Sequence, residues 1–162
     1  MVEKACFGAG CFWGTDHVFR QFPGILKVVA GYIGGEIKNP SYKDVCSGKT
    51  GHAEVVYIEF DEKKISYEKL LEIFFKCHDP TQVNGQGPDI GNQYRSAIFY
   101  YGESQKKQAQ EFKQKYEKTI KKKITTTIDM AEEFYAAEEY HQKYYERNDS
   151  APYCHVVPKI KI

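Results

Sequence analysis

The stretch that decides the fold is Glu3-Lys4-Ala5-Cys6-Phe7-Gly8-Ala9-Gly10-Cys11-Phe12-Trp13-Gly14. Residues 3–9 have the composition of a short strand. Gly8, Ala9 and Gly10 make a turn of small residues, and a helix over 11–21 follows, stopped by Pro23-Gly24. This junction places Cys11 at a helix N-terminus, where unpaired backbone N–H groups and the helix dipole favour an anion. A thiol in that position is biased toward thiolate, the nucleophilic form. A buried, inert core cysteine is the competing interpretation.

Working outward, residues 25–33 are rich in β-branched side chains and read as a second strand, followed by a long loop marked by Gly34-Gly35 and Asn39-Pro40. Residues 54–60 alternate: Glu54, Val56, Ile58 and Phe60 share one face, and Val55, Tyr57 and Glu59 the other. Ser66 can cap a helix through 78, with Tyr67, Leu70, Leu71 and Phe74 as its apolar stripe, ended by Asp79-Pro80. Residues 80–94 form a polar, Gly-rich loop and 95–101 a strand. Residues 103–120 form an amphipathic helix with Ala109, Phe112, Tyr116 and Ile120 inward and lysines outward. Residues 125–129 have strand character, and 138–147 read as a short last helix before a tail. Strands and helices mix without strict βαβ alternation, so the expected class is α+β with a mixed sheet.

Bulk properties narrow the function classes. A chain of 162 residues is the size of one domain and can bury roughly 70% of its unfolded surface without a disulfide. The 23 basic and 22 acidic side chains nearly cancel, which gives no support to a nucleic-acid or anionic-membrane partner. No apolar run approaches the length of a membrane span, and the N-terminal residues lack the parts of a secretory signal. Five cysteines without C-x-x-C pairing or zinc-finger spacing point to a reducing, cytoplasmic setting with mostly unpaired thiols. No metal-ligand cluster and no phosphate-binding loop is evident, and the lysine run 121–123 reads as a solvated helix face.

Gly10-Cys11-Phe12-Trp13-Gly14 resembles the signature of peptide methionine sulfoxide reductase, the A class. Tyr42 in Asn39-Pro40-Ser41-Tyr42, the run Thr50-Gly51-His52-Ala53-Glu54, the loop Gln86-Gly87-Pro88-Asp89, the run Gly91-Asn92-Gln93-Tyr94-Arg95-Ser96 and Ala137-Glu138-Glu139-Tyr140-His141-Gln142 look like further blocks of that family, in its order. The resemblance covers the chain to about residue 145. The expected architecture is a two-layer α/β sandwich with a mixed sheet, a ferredoxin-like core and long loops. A single catalytic domain spans 1–162, with 146–162 as a C-terminal tail.

The resemblance implies reduction of methionine S-sulfoxide, free or in oxidised proteins, with Cys11 as nucleophile and Glu54 as the acid that protonates the departing oxygen. A carboxyl on a buried strand face tends to remain protonated, which suits that role. Tyr42 and Tyr94 would be phenolic donors to the oxygen. Phe12 and Trp13 would cage the S-methyl group, and Asp89 would hold a water and substrate polar groups. His52 is expected to be structural and His141 to support the substrate site. No bound cofactor is expected, only an external thiol reductant, thioredoxin or dithiothreitol in vitro, and the chain is expected to be a monomer. After attack, Cys11 becomes a sulfenic acid. Cys154 is the best internal resolver, although residues 155–160 lack the glycines common in that family's tail. Cys46, or a one-cysteine cycle with an external thiol, remains an alternative. A non-catalytic module that recognises oxidised methionine and a Cys-dependent acyl transferase or hydrolase are the competing functions; the latter needs a His base beside Cys11.

Overall fold

The computed structural model describes residues 1–144. Its frame is a six-stranded mixed sheet. In chain order the elements are β1 (Val2–Ala9), α1 (Phe12–Arg20), β2 (Ile25–Ile33), α2 (Tyr42–Cys46), β3 (Ala53–Asp61), α3 (Tyr67–Lys76), β4 (Gly85–Gln86), β5 (Asp89–Ile90), β6 (Ser96–Tyr100), α4 (Glu103–Ile120), β7 (Thr127–Met130) and β8 (Tyr135–Ala136). Short 3-10 turns occupy Asn92–Tyr94 and Glu139–His141. The sheet runs β7-β6-β1-β3-β2-β8, with β4 and β5 as a separate hairpin. All neighbouring pairs are antiparallel except β6 with β7.

The alternation read from the sequence sets which side chains enter the core. Ala5, Phe7 and Ala9 of β1, Val28, Ala30 and Tyr32 of β2, and Val56, Ile58 and Phe60 of β3 join buried residues of α1, α3 and α4 in one cluster. Phe7 is its hub, with ring centroids 5.5 Å from Phe19 of α1 and 5.0 Å from Phe74 of α3. Phe75 stacks on Phe112 at 5.5 Å and joins α3 to α4. The opposite face carries Cys6, Ile33, Ala53, Val55, Ala97 and Phe99, covered by Tyr101, Ala131 and Phe134. Ser66 caps α3 by accepting from the Lys69 N–H, as its position predicts.

The local expectations fail where tertiary contacts decide. The long loop after β2 contains α2, a single-turn helix closed by a capping box between Ser41 and Asp44. The polar loop 80–94 holds the β4–β5 hairpin. The helix expected over 138–147 is not continuous in its described part. Glu139–His141 form a 3-10 turn, Gln142 is extended, Lys143 takes φ 52°, and Tyr144 is helical again. The cause is a long-range competitor: the Gln142 side-chain amide pairs with the backbone of Ala30, taking its N–H at 2.9 Å and donating to its carbonyl at 2.9 Å. Among the described residues, no helix is long and apolar enough to cross a membrane.

Candidate active site

Cys11 sits where β1 hands over to α1. Gly10 adopts φ 90°, a left-handed conformation that a side chain resists, and this turns the chain so that Cys11 becomes the N-cap of α1. The Cys11 carbonyl accepts from the Thr15 N–H at 3.4 Å, and no side chain caps the helix from that position. The next backbone donor, the Phe12 N–H, is met by a carboxyl from the neighbouring sheet: Glu54 Oε1 at 3.2 Å. Glu54 is the second residue of β3 and lies opposite Tyr32 in register. Space is tight there: a Cβ on Gly8 would come within 3.2 Å of the Glu54 backbone oxygen.

Cys11 is 8% exposed, and Trp13, Tyr94 and Tyr144 pack around it. Glu54 is 1% exposed and faces the same end of the sheet. Two opposed effects act on its carboxyl. Loss of water favours the neutral form, while the Phe12 N–H and the helix N-terminus favour the anion. Three phenols feel its charge. Burial first, then Glu54, pushes the Tyr94 hydroxyl well above its ordinary range, with Cys46, Cys11 and Asp89 adding to the effect. Burial, a hydrogen bond to Cys46 and the proximity of Glu54 do the same to Tyr42. Tyr32 is raised by burial, by Glu138 and by Glu54. All three therefore remain O–H donors at neutral pH.

Phe12 is fully buried beneath this site, its ring 5.7 Å from Tyr32, 6.3 Å from Tyr42 and 5.2 Å from His141. Trp13 is half-buried at the surface of the cluster, and its indole N–H donates to His141 Nδ1 at 3.0 Å. That bond assigns the imidazole proton to Nε2. Burial also lowers the imidazole's basicity, so the ring is neutral. His141 thus braces Trp13 and stacks against Tyr42 at 4.4 Å. Asp89 lies on β5, half-buried; burial raises its carboxyl above the ordinary range, and its Oδ2 has no hydrogen-bond partner among the described residues. His52 accepts from the Gly35 N–H at 3.0 Å through Nδ1 and meets the Ile37 carbonyl at 2.6 Å through Nε2. It braces the 35–37 loop, a structural part. Cys154 lies outside the described residues. Cys46 is exposed at the end of α2, beside Tyr42, and burial of its sulfur, with Glu54 and Glu138 adding, raises its thiol. No group of three or more His, Cys, Asp or Glu side chains that could hold a metal occurs among the described residues.

The structure thus gathers Cys11, Trp13, Glu54, Tyr42, Tyr94 and His141 from five separate stretches. It also adds residues that sequence reading passed over. Glu138 accepts from the Tyr32 hydroxyl at 3.1 Å and from the Tyr42 N–H at 3.0 Å, so it seats the start of α2 and with it Tyr42. Arg95 donates to the Asn92 carbonyl at 2.9 Å and the Gly51 carbonyl at 3.1 Å, tying the Tyr94 turn to the segment that leads into Glu54. Both lie inside motif blocks. Their partners, 96 and 44 residues away, leave no local signal.

Comparison with known proteins bears directly on this cluster. A family model described as peptide methionine sulfoxide reductase matches residues 3–162. The Sulfolobus acidocaldarius peptide methionine sulfoxide reductase MsrA is 49% identical over 162 residues, covering 99% of this chain and 92% of the relative. Among solved structures, reduced Mxr1 from Saccharomyces cerevisiae superposes with a TM-score of 0.92 at 36% identity, covering 98% of this chain and 93% of that one. Mxr1 in complex with Trx2 gives 0.67 at 26% identity, covering 98% and 91%. With a family match over nearly its whole length and relatives this similar, the chain belongs to the peptide methionine sulfoxide reductase family.

Proposed function

We propose that this chain reduces methionine S-sulfoxide, free or in oxidised proteins, to methionine, with Cys11 as nucleophile. The observation that carries the assignment to Cys11 is its position as N-cap of α1, with a buried carboxyl, Glu54, on the adjacent N–H. In the first half-reaction the Cys11 thiolate attacks the sulfoxide sulfur and the oxygen takes a proton. The oxygen passes to Cys11, giving a sulfenic acid, and methionine leaves; one thiol and one sulfoxide become one sulfenic acid and one thioether. Sulfoxide oxygen leaves poorly unless protonated, and Glu54 is our proton donor. A neutral carboxyl still accepts the Phe12 N–H at Oε1, with its proton on Oε2, and burial favours that form. Tyr94 and Tyr42, kept protonated by their surroundings, donate to the oxygen as charge builds on it. Trp13 walls the S-methyl group above the buried Phe12 ring, His141 steadies the indole, and Asp89 receives polar groups of the substrate or a water.

In the second half-reaction a thiol displaces water from the sulfenic acid and forms a disulfide, which thioredoxin, or dithiothreitol in vitro, reduces by exchange. Cys154 is our resolving thiol. A solved relative with a Trx2 partner supports the choice of reductant. The elevated thiol of Cys46 argues against that residue as the fast resolver. No bound cofactor is needed. Membership of the family sets aside the acyl-transfer reading.

We also infer a two-layer sandwich with a ferredoxin-like core. What supports it is the connectivity β1-α1-β2-β3-α3-β6 with spatial order β6-β1-β3-β2, and helices α1, α3 and α4 joined to one face. A single catalytic domain over 1–162, with 146–162 as its tail, fits the span of the family match. We take the chain to act as a monomer. Thiols at Cys6, Cys46 and Cys77 outside any disulfide fit a reducing, cytoplasmic setting. The decisive experiment is Cys11→Ser: near-wild-type cooperative unfolding with no loss of sulfoxide from substrate is expected, and full activity would remove the assignment.

A further inference from the structure

We propose that Gln86 is a positioning residue: its buried amide ties the β4–β5 hairpin to the segment just after α3 and so holds Asp89 where the polar groups of a substrate meet it. The inference rests on the reading of Asp89 given above. A hairpin with two residues on each strand is marginal by itself, and β4 and β5 pair with no other strand among the described residues. Its placement must therefore come from side chains. Gln86 is 2% exposed and lies opposite Asp89 in register. Its Oε1 accepts the Asp79 N–H at 2.8 Å, and its Nε2 donates to the Asp79 carbonyl, so one amide clasps both backbone polar groups of one residue.

The clasped segment is itself fixed. The Pro80 carbonyl accepts the Thr125 N–H at 2.8 Å, and the Thr125 hydroxyl lies 3.1 Å from the Pro80 carbonyl and 3.0 Å from that of Gln82. Asp79 Oδ1 accepts the Thr81 N–H at 2.9 Å. The Gln82 amide in turn holds the hairpin's tip, accepting the Gly87 N–H at 2.8 Å and donating to its carbonyl at 3.2 Å. Asp89 Oδ2 is buried without a hydrogen-bond partner among the described residues, and its charge reaches Tyr94. The Tyr94 turn has separate ties, through Arg95 to the Asn92 and Gly51 carbonyls. Loosening Gln86 therefore shifts Asp89 and leaves Tyr94 in place. A shift of about 1 Å in a group that orients substrate costs up to roughly 10²-fold in rate.

The test measures kcat and KM for the S-sulfoxide of N-acetylmethionine methylamide, which carries a peptide group on each side, with dithiothreitol as reductant. The proteins are wild type, Gln86→Ala, Asp89→Ala and the double variant. Gln86→Ala is expected to lose roughly tenfold in kcat/KM, mostly through KM. In the Asp89→Ala background the same change should cost less than about threefold, because the group it positions is gone. Gln86→Glu keeps the shape and the acceptor, but its carboxylate cannot donate to the Asp79 carbonyl; it is read in the same cycle if the alanine variant does not fold. Losses that multiply in the double variant, a Gln86 loss carried by kcat, or one smaller than about threefold would overturn the inference. If wild type does not reduce the sulfoxide, or Asp89→Ala alone stays within about threefold of wild type, the reading above fails first and the inference with it.

Discussion

Replacing Glu54 with glutamine separates its two roles in the structure. Oε1 accepts the Phe12 N–H at 3.2 Å, and the residue is 1% exposed. Glutamine has the same shape and keeps a carbonyl acceptor for that N–H, so the N-terminus of α1 stays satisfied and stability should change by about 1 kcal/mol or less. Glu54→Ala, by contrast, strips the acceptor and leaves a void in the sheet face, costing roughly 1–3 kcal/mol for the orphaned donor alone. What glutamine cannot do is transfer a proton. If Glu54 protonates the sulfoxide oxygen, the first half-reaction should slow on the order of 10²-fold or more, equivalent to about 2.7 kcal/mol of barrier. The assay is a rapid-quench single turnover with excess reduced enzyme and no reductant, reading methionine released. Wild type should lose rate as pH rises through the carboxyl's titration, and the glutamine variant should lose that limb of the profile. A single-turnover rate within about threefold of wild type, with unfolding also unchanged, would place the acid elsewhere and refute the reasoning.

Three further outcomes are expected. Cys154→Ser should still release one equivalent of methionine but lose sustained turnover with thioredoxin while small thiols partly rescue it; normal thioredoxin turnover would make Cys154 structural, and peptide mapping of the oxidised protein would then show whether Cys46 is engaged. Glu138→Ala orphans the Tyr32 hydroxyl and the Tyr42 N–H and should cost roughly 1–3 kcal/mol in urea unfolding together with a fall in kcat/KM; a stability change under about 0.5 kcal/mol would show that Glu138 does not seat α2. Stability should decline in alkali: burial pushes the Cys77 thiol up to about 12 from an ordinary 9.0 and, with Glu59 beside it, the Tyr57 hydroxyl up to about 12 from 10.0, so the folded state keeps protons that the unfolded chain releases. The contribution is complete below pH 9 and is lost progressively as pH rises from 9.0 toward about 12 for Cys77 and from 10.0 toward about 12 for Tyr57, so a Tm unchanged between pH 8 and 10.5 would contradict these environments.

Much of this protein is written in local pattern. The period-two alternation of 54–60 put Glu54 on the core face, and Ser66 marked the start of α3, because side-chain direction on a strand and donor count at a helix end are set by neighbours in the chain. The small-residue junction at 8–10 likewise placed Cys11 at a helix N-terminus, where the structure has it as N-cap. Order and wording of the motif blocks identified the family. What those patterns cannot carry is any bond whose two ends are far apart in sequence. Trp13 meets His141 across 128 positions, Lys143 meets Asp16 across 127, and Tyr42 meets Glu138 across 96. For the same reason the helix expected over 138–147 is interrupted at Gln142 and Lys143. Helix propensity there competes with a glutamine amide that satisfies the backbone of β2, and a local preference worth tenths of a kcal/mol per residue yields to buried hydrogen bonds worth about 1 kcal/mol each. The sequence by itself determined the strand and helix faces and the family, and it singled out Cys11 as the proposed nucleophile. Only the tertiary structure decided that Glu138 seats Tyr42 and that Tyr144 lies on Trp13, because those contacts exist only once the sheet has brought the two ends of the chain together.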